Sequence, residues 1–290
     1  MKDFAGKVAV ITGAGSGFGR EFARRAHALG MKLVLADIER DALNAVVAEL
    51  GASGATVIGE LVDVARGEDV QRLAHRAWAE LGGVHLLFNN AGVGSGGLLW
   101  ESSERDWQWV LGVNLWGVIH GLRHFVPRMI ADGAPGHIVN TASVAGLVCA
   151  PNMGVYNVSK HAVVALTETL EHDLRLVGAK IGVSLLCPAY VPTGIAQSHR
   201  NRPAELAAGV PTASQRAAHA AITKAVESGK VSAEQVAGLT FDAIASERFY
   251  VLTHPQILPT VRLRFDDIVE QRNPSDPFSA RPQHKPDLSS

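Results

Sequence analysis

Cysteine is scarce in this chain. Cys149 and Cys187 form no Cys-x-x-Cys pair, which excludes a disulfide framework and a structural zinc site. That usage suits a reducing compartment, and the cytoplasm is the expected one. No apolar run approaches the roughly 18 residues that a bilayer span requires. Residues 1–7 pass straight into an apolar segment, so no signal peptide is expected. Charge of one sign is missing too: 27 basic against 28 acidic residues leave a net charge of −1, and neither nucleic acid nor membrane is expected as a partner. His120, His124, His161 and His172 lack the compact spacing and carboxylate partners of a metal site, so no metal is expected.

What the chain has in quantity is apolar residues. They make up 47% of its 290 residues against 19% charged, enough for a large core and too many for a disordered chain. A prior of roughly 150 residues per domain would allow two domains, yet single α/β domains of about 250 are common. No linker or internal repeat divides this sequence. One domain over 1–272 is expected, with 273–290, rich in proline, serine and charge, as an extended or disordered tail.

Short β-branched or Leu-rich runs fall at 7–13, 32–37, 55–64, 84–90, 136–143, 180–188 and 248–254. They are apolar almost throughout, as expected of a parallel sheet covered by helices on both faces. Helical patterns at 18–29, 40–50, 69–81, 103–130 and 155–177 alternate with them. This order predicts an α/β fold, a single Rossmann-like, doubly wound domain with right-handed crossovers. The alanine-rich segment 194–232 interrupts the alternation after the sixth strand, where a substrate lid would sit.

The first strand runs into Thr12-Gly13-Ala14-Gly15-Ser16-Gly17-Phe18-Gly19 and then a helix. Ordinary turns also collect glycine, but a strand before and an amphipathic helix after point to a dinucleotide: glycine admits close backbone approach, and the helix N-terminus offers N–H groups to a pyrophosphate. The spacing is G-x-x-x-G-x-G from Gly13 to Gly19. Asp37 ends the second strand, 24 residues after Gly13, where a carboxylate accepts from both ribose hydroxyls and repels a 2′-phosphate. This favours NAD over NADP, although Asp37 could instead cap the next helix and the nearby Arg40 could reach a phosphate. Asp63 either meets the adenine amino group or caps a helix. Asn89-Asn90-Ala91-Gly92 closes the fourth strand, either as a simple Asx turn or as a small-residue passage beside a ribose.

Tyr156 and Lys160 stand four residues apart, on one face of a helix. A free phenol titrates at about 10. A neighbouring ammonium favours the phenolate and a positive nicotinamide would add to this, so the two cations together are expected to lower that value and make Tyr156 a proton acceptor. Ser143 ends the fifth strand thirteen residues earlier, at the same sheet edge, and its hydroxyl can hold a substrate oxygen. Asn114 lies in a long apolar helix and needs partners, either to hold a kink or to hold a water near Lys160.

Together these segments resemble the short-chain dehydrogenase/reductase family with a Thr-Gly-x-x-x-Gly-x-Gly loop, over about residues 5–255. The resemblance implies a seven-stranded parallel sheet and a catalytic set of Asn114, Ser143, Tyr156 and Lys160. It implies cofactor contacts from Gly13, Ser16, Gly17, Phe18, Gly19, Asp37, Ile38, Asp63, Val64, Asn90, Ala91 and Gly92. Tyr156, Lys160, Pro188, Val191 and Thr193 complete that set, with Val191 and Thr193 beside the nicotinamide carboxamide. The chain departs from the family at Pro188-Ala189-Tyr190, where Pro-Gly is frequent; an added methyl there affects loop shape and removes no reacting group. Family members are commonly homodimers or homotetramers.

The expected activity is hydride transfer between NAD(H) and a secondary alcohol or ketone. Apolar stretches at 93–100, 144–153 and 190–203 suggest a bulky apolar or aromatic substrate, met by Ser143, Leu147, Met153, Tyr156, Tyr190 and Ile195. The alternatives are a catalytically idle NAD-binding regulatory protein, an NADP-dependent carbonyl reductase, and an isomerase or dehydratase with tightly held NAD.

Overall fold

Strands that are apolar on both faces fold only where helices cover both. In the computed structural model, which describes residues 1–279, all five residues of β1 (Val8–Thr12) are buried. The others are β2 (Lys32–Asp37), β3 (Val57–Leu61), β4 (Leu86–Asn89), β5 (Gly136–Thr141), β6 (Ile181–Cys187) and β7 (Tyr250–Leu252). Among the described residues they form one seven-stranded parallel sheet in the order β3-β2-β1-β4-β5-β6-β7. The order reverses between β1 and β4, so their carboxyl ends open a crevice.

The helices are α1 (Gly17–Ala28), α2 (Arg40–Ala52), α3 (Gly67–Leu81), α4 (Glu104–Leu111), α5 (Gly117–Asp132) and α6 (Gly154–Leu176). Then follow α7 (Ala213–Glu227), α8 (Ala233–Ala245) and α9 (Leu258–Val269). One core joins Phe22, Phe88 and Phe241, with Phe22 and Phe88 stacked at 4.5 Å. A second core on the other face gathers Val10, Val34, Leu73, Phe125 and Ile138.

Four elements differ from the sequence expectation. The helix expected over 103–130 is broken into α4 and α5 by a π-helical turn at Gly112–Trp116, for which Asn114 is responsible (below). The strand expected over 55–64 shortens to Val57–Leu61, because β3 is an edge strand whose Glu60 turns outward to pair with Arg72 and Arg76. Neither α8 nor α9 was anticipated; the first announces itself by a capping box between Ser232 and Gln235. In the expected tail, residues 273–279 turn back on α9, where Ser275 donates from its N–H (2.8 Å) and its hydroxyl (3.2 Å) to Asp267. Residues 280–290 lie outside the described residues.

His137 is buried in the middle of β5, with its Nε2 2.9 Å from Ser184 Oγ. The Ser184 hydroxyl spends its proton on Arg248 O (2.7 Å), so it must accept from an Nε2–H. Burial pushes the imidazole down to about 3 from 6.5. The folded ring therefore stays neutral over a range in which the unfolded ring takes up a proton. Its contribution to stability is complete above about 6.5 and drains away as the pH falls toward 3. Urea melts at pH 7 and pH 5 are expected to show this loss, with a smaller difference in His137→Gln; an identical difference in the variant rules out His137 as the source.

Candidate active site

The carboxyl edge of the sheet opens into a cleft of about 890 Å³. Its floor begins with the loop after β1. Gly13 has φ +67°, and a Cβ there would stand 2.9 Å from Ala91 Cα, so only glycine lets the β1 and β4 loops close on each other. A Cβ on Gly19 would stand 2.0 Å from Gly13 O. Gly19 is therefore not part of the cleft wall, as a contact residue would be; it lies beneath the loop and lets α1 begin directly under it. Ser16 caps α1 without a side-chain hydrogen bond, and the first turn of α1 carries no acidic residue. Its N–H groups and positive dipole end thus face the cleft unneutralised, which fits the pyrophosphate of a dinucleotide.

Side chains hold this crevice open. The Thr12 hydroxyl donates to Phe88 O (3.1 Å) and accepts from the N–H groups of Asn90 (2.9 Å) and Ala91 (3.1 Å). Asn90 Nδ2 donates to Thr12 O (2.9 Å), and its Oδ1 accepts from the Thr141 hydroxyl (3.3 Å). The ends of β1, β4 and β5 are thereby tied into one rim. Thr12 opens the glycine run read from the sequence, whereas Thr141 was missed as a rim residue, because a lone threonine at a strand end carries no spacing signal.

At the far end of the crevice, Asp37 Oδ2 accepts from Gly15 N (2.7 Å) and Oδ1 from Glu39 N (2.9 Å). Burial raises the Asp37 carboxyl, against the lowering effect of these two N–H donors. The α2 N-cap position belongs to Glu39, so Asp37 does not act as the helix cap. Ile38, Asp63 and Val64 line the same end, and Asp63 Oδ1 also accepts from Ala65 N (3.0 Å). Ser16, Gly17, Phe18, Asn90, Ala91, Gly92, Pro188, Val191 and Thr193 line the cleft between the two ends.

Tyr156 and Lys160 rise from the first turns of α6 and are 9% and 3% exposed. Lys160 Nζ lies 5.7 Å from the Tyr156 ring centroid and donates to Thr141 O (2.9 Å). Ser143 Oγ donates to Pro188 O (3.3 Å) and accepts from Ala145 N (3.1 Å), and its hydroxyl acts to lower the Tyr156 phenol. The lowering expected from the ammonium is not seen in the protein groups alone: burial pushes the phenol up to about 12, outweighing Ser143, while burial brings Lys160 down to about 8. Both groups are deep in the protein, and desolvation penalises each charged form. Protein groups alone therefore leave Tyr156 a proton donor at neutral pH.

Asn114 is fully buried and lies outside the cleft wall. Its Oδ1 accepts from Val93 N (2.8 Å), and its Nδ2 donates to Val93 O (3.0 Å) and to Ser159 Oγ (3.1 Å). Ser159 in turn donates to Tyr156 O (2.8 Å). The amide thus behaves like one more strand residue beside Val93, and the π turn is what carries it there. Of the two roles left open by the sequence, the kink is the one seen.

Met153, Tyr190 and Ile195 line the cleft, whereas Leu147 does not: it packs beside Val163 and Leu185 in a core behind the Ser143 turn. The opposite wall comes in part from Ala218 and Ile222 of α7, within the 194–232 segment expected as a lid, and in part from Thr260 of α9 and Phe278, which the sequence did not point to. Those last positions carry no motif and are brought in only by the fold of the end of the chain.

The short chain dehydrogenase family model matches residues 7–204. The 1-deoxy-11-beta-hydroxypentalenate dehydrogenase of Streptomyces exfoliatus is 37% identical over 264 residues, which is 90% of this chain and 88% of that one. The C alpha-dehydrogenase of Sphingobium sp. is 35% identical over 284 residues, 97% and 92% of the two chains. Among solved structures, a short chain dehydrogenase/reductase from Burkholderia phymatum in complex with NAD superposes with a TM-score of 0.95 at 61% identity. That match covers 96% of this chain and all of the other.

Asn114→Ala strands the Val93 backbone pair in a dry interior, and each unmet polar group costs about 1–3 kcal/mol. A loss of roughly 2–4 kcal/mol in denaturant unfolding is expected. A loss below about 0.5 kcal/mol contradicts the clamp described here.

Proposed function

Since this chain belongs to the short chain dehydrogenase family of oxidoreductases, we propose that it moves a hydride between NAD(H) and a secondary alcohol or ketone. The observation that carries the reading is the convergence of Ser143, Tyr156 and Lys160 at one end of a cleft whose other end presents Asp37. The α1 N-terminus would hold the pyrophosphate, Asp37 the adenosine ribose, and Val191 and Thr193 the carboxamide region. The NAD complex of the Burkholderia phymatum protein supports NAD as the cofactor. Asp37 supports the same choice, because its charge opposes a 2′-phosphate. The complete set of Ser143, Tyr156 and Lys160 supports an enzyme over a regulatory protein that only held a dinucleotide.

In oxidation, Ser143 Oγ holds the substrate oxygen and Tyr156 Oη takes the hydroxyl proton. In reduction the same phenol returns it to the carbonyl oxygen. The dinucleotide supplies the hydride acceptor and, when oxidised, a positive charge beside the phenol. Lys160 adds its own cation from below and is held in place by Thr141 O. Asn114 fixes the loop and the helical turn that present these groups. The substrate is a bulky apolar or aromatic one, a reading supported by Val148, Met153, Ile222, Ile257 and Phe278 on the cleft wall. Exposed Trp116 on the π turn and Val158, Leu176 and Val177 at α6 support a homodimer or homotetramer, and the reduced cysteines support a cytoplasmic setting.

Tyr156→Phe is expected to keep NADH binding and lose turnover by roughly 10²–10⁴-fold. Retained turnover overturns the assignment. The raised phenol gives the sign of the pH dependence: its proton is in place at neutral pH, so reduction is favoured at lower pH and oxidation rises toward alkaline pH. Parallel initial-rate profiles in the two directions check this, and profiles that rise together contradict it.

A further inference from the structure

The segment after β6 runs along the cleft wall. Its 3₁₀ helix, Gly194–Asn201, starts after Thr193, which stands against Gly17 of the β1 loop, and finishes at Glu39, two residues beyond Asp37. Arg200 meets Glu39 with both arms of its guanidinium, Nε to Oε2 at 3.1 Å and Nη2 to Oε1 at 2.5 Å. Asn201 Nδ2 adds a third bond to Oε1 (2.8 Å). The remaining Arg200 nitrogen caps its own helix through Gly194 O (3.2 Å) and Gln197 O (2.9 Å). The two partners hold Glu39 below its ordinary range, Arg200 being the chief cause. Arg200, Asn201 and Glu39 all line the cleft.

The same segment is fixed at two other points. Ser198 Oγ accepts from Gly94 N (2.9 Å), and Arg202, only 10% exposed, pairs with Asp106 at 2.6 Å over the Trp109 ring. The pair at Glu39 is far more open, with side chains 38% and 30% exposed. Exposed pairs contribute little to stability and part readily, whereas the Arg202 anchor is sheltered. Charge is where the Glu39 pair has leverage. An arginine at the adenosine end of a dinucleotide cleft is the group best shaped to grip a 2′-phosphate, and here both its forked arms are taken by a carboxylate.

We propose that Glu39 is a second cofactor-selecting residue: by holding Arg200 and Asn201 it denies their donors to a 2′-phosphate and enforces the NAD preference set by Asp37. Glu39 acts through Arg200 and is a positioning residue. The proposal rests on the cleft taking a dinucleotide, as proposed above. Freed from Glu39, which stands two residues after Asp37, Arg200 becomes a phosphate ligand at that end of the cleft and offsets the repulsion from Asp37.

The test is fluorescence titration of the full chain with NADH and NADPH, with no substrate present. Glu39→Gln is expected to tighten NADPH by about tenfold, the scale of one charge-assisted contact, and to change NADH less. The gain should vanish in Glu39→Gln/Arg200→Ala, return in part in Glu39→Gln/Arg200→Lys, and shrink with added salt. An unchanged NADPH affinity, an equal loss of both dinucleotides, or a gain that survives Arg200→Ala overturns the proposal. Glu39→Ala repeats the comparison should Glu39→Gln fold poorly. Failure of the native protein to bind NADH would count against the cofactor reading itself, a different result from an unaltered NADPH affinity in a variant that binds NADH.

Discussion

Burial of an ammonium beside a phenol is the constraint from which the rest of this structure follows. Neither group gains from leaving water: desolvation brings Lys160 down to about 8 and lifts Tyr156 to about 12. Lys160 can remain in the interior because its Nζ is met by Thr141 O, while the Tyr156 phenol lines the cleft together with Ser143. Thr141 and Ser143 in turn occupy the carboxyl end of β5, so the sheet supplies the partners that α6 needs. The π turn at Gly112–Trp116 serves the same end, because it brings Asn114 against Val93 and, through Ser159, against the Tyr156 turn.

Much of this was legible in the sequence because the reacting residues stand at element ends, where spacing carries information. The strand-glycine-helix run located the α1 N-terminus, and the four-residue separation of Tyr156 and Lys160 placed them on one face. The phenol's charge state was not legible. Spacing reveals that a cation is near, while the burial that outweighs it comes from the whole fold. Leu147 misled for a related reason: in a turn after β5, adjacent apolar residues face the cleft or the core according to backbone direction, and Leu147 joined the core with Val163. The lid segment that contains α7 was legible as a break in the alternation, whereas the lining from α9 and Phe278 was not, because apolar helix faces look alike before they are packed.

The two ends of the cleft divide the work. The Asp37 end is fixed by carboxylates that accept backbone N–H groups, which makes Asp37 part of the β1 loop's own structure. The Tyr156 end is built from a phenol that keeps its proton, a serine hydroxyl and the buried Lys160 ammonium. The segment after β6 is held to α4 by the sheltered Arg202–Asp106 pair, while two residues earlier Arg200 rests on the more exposed contact with Glu39.

The central claim is that the protein raises the Tyr156 phenol and that an oxidised nicotinamide must bring it down. With three tyrosines in the chain, ultraviolet titration of the native protein against Tyr156→Phe isolates this ring. Without dinucleotide the difference signal is expected to appear only at about 12. With saturating NAD it is expected to move down by several pH units toward neutrality. A midpoint that stays in place on adding NAD would contradict the account.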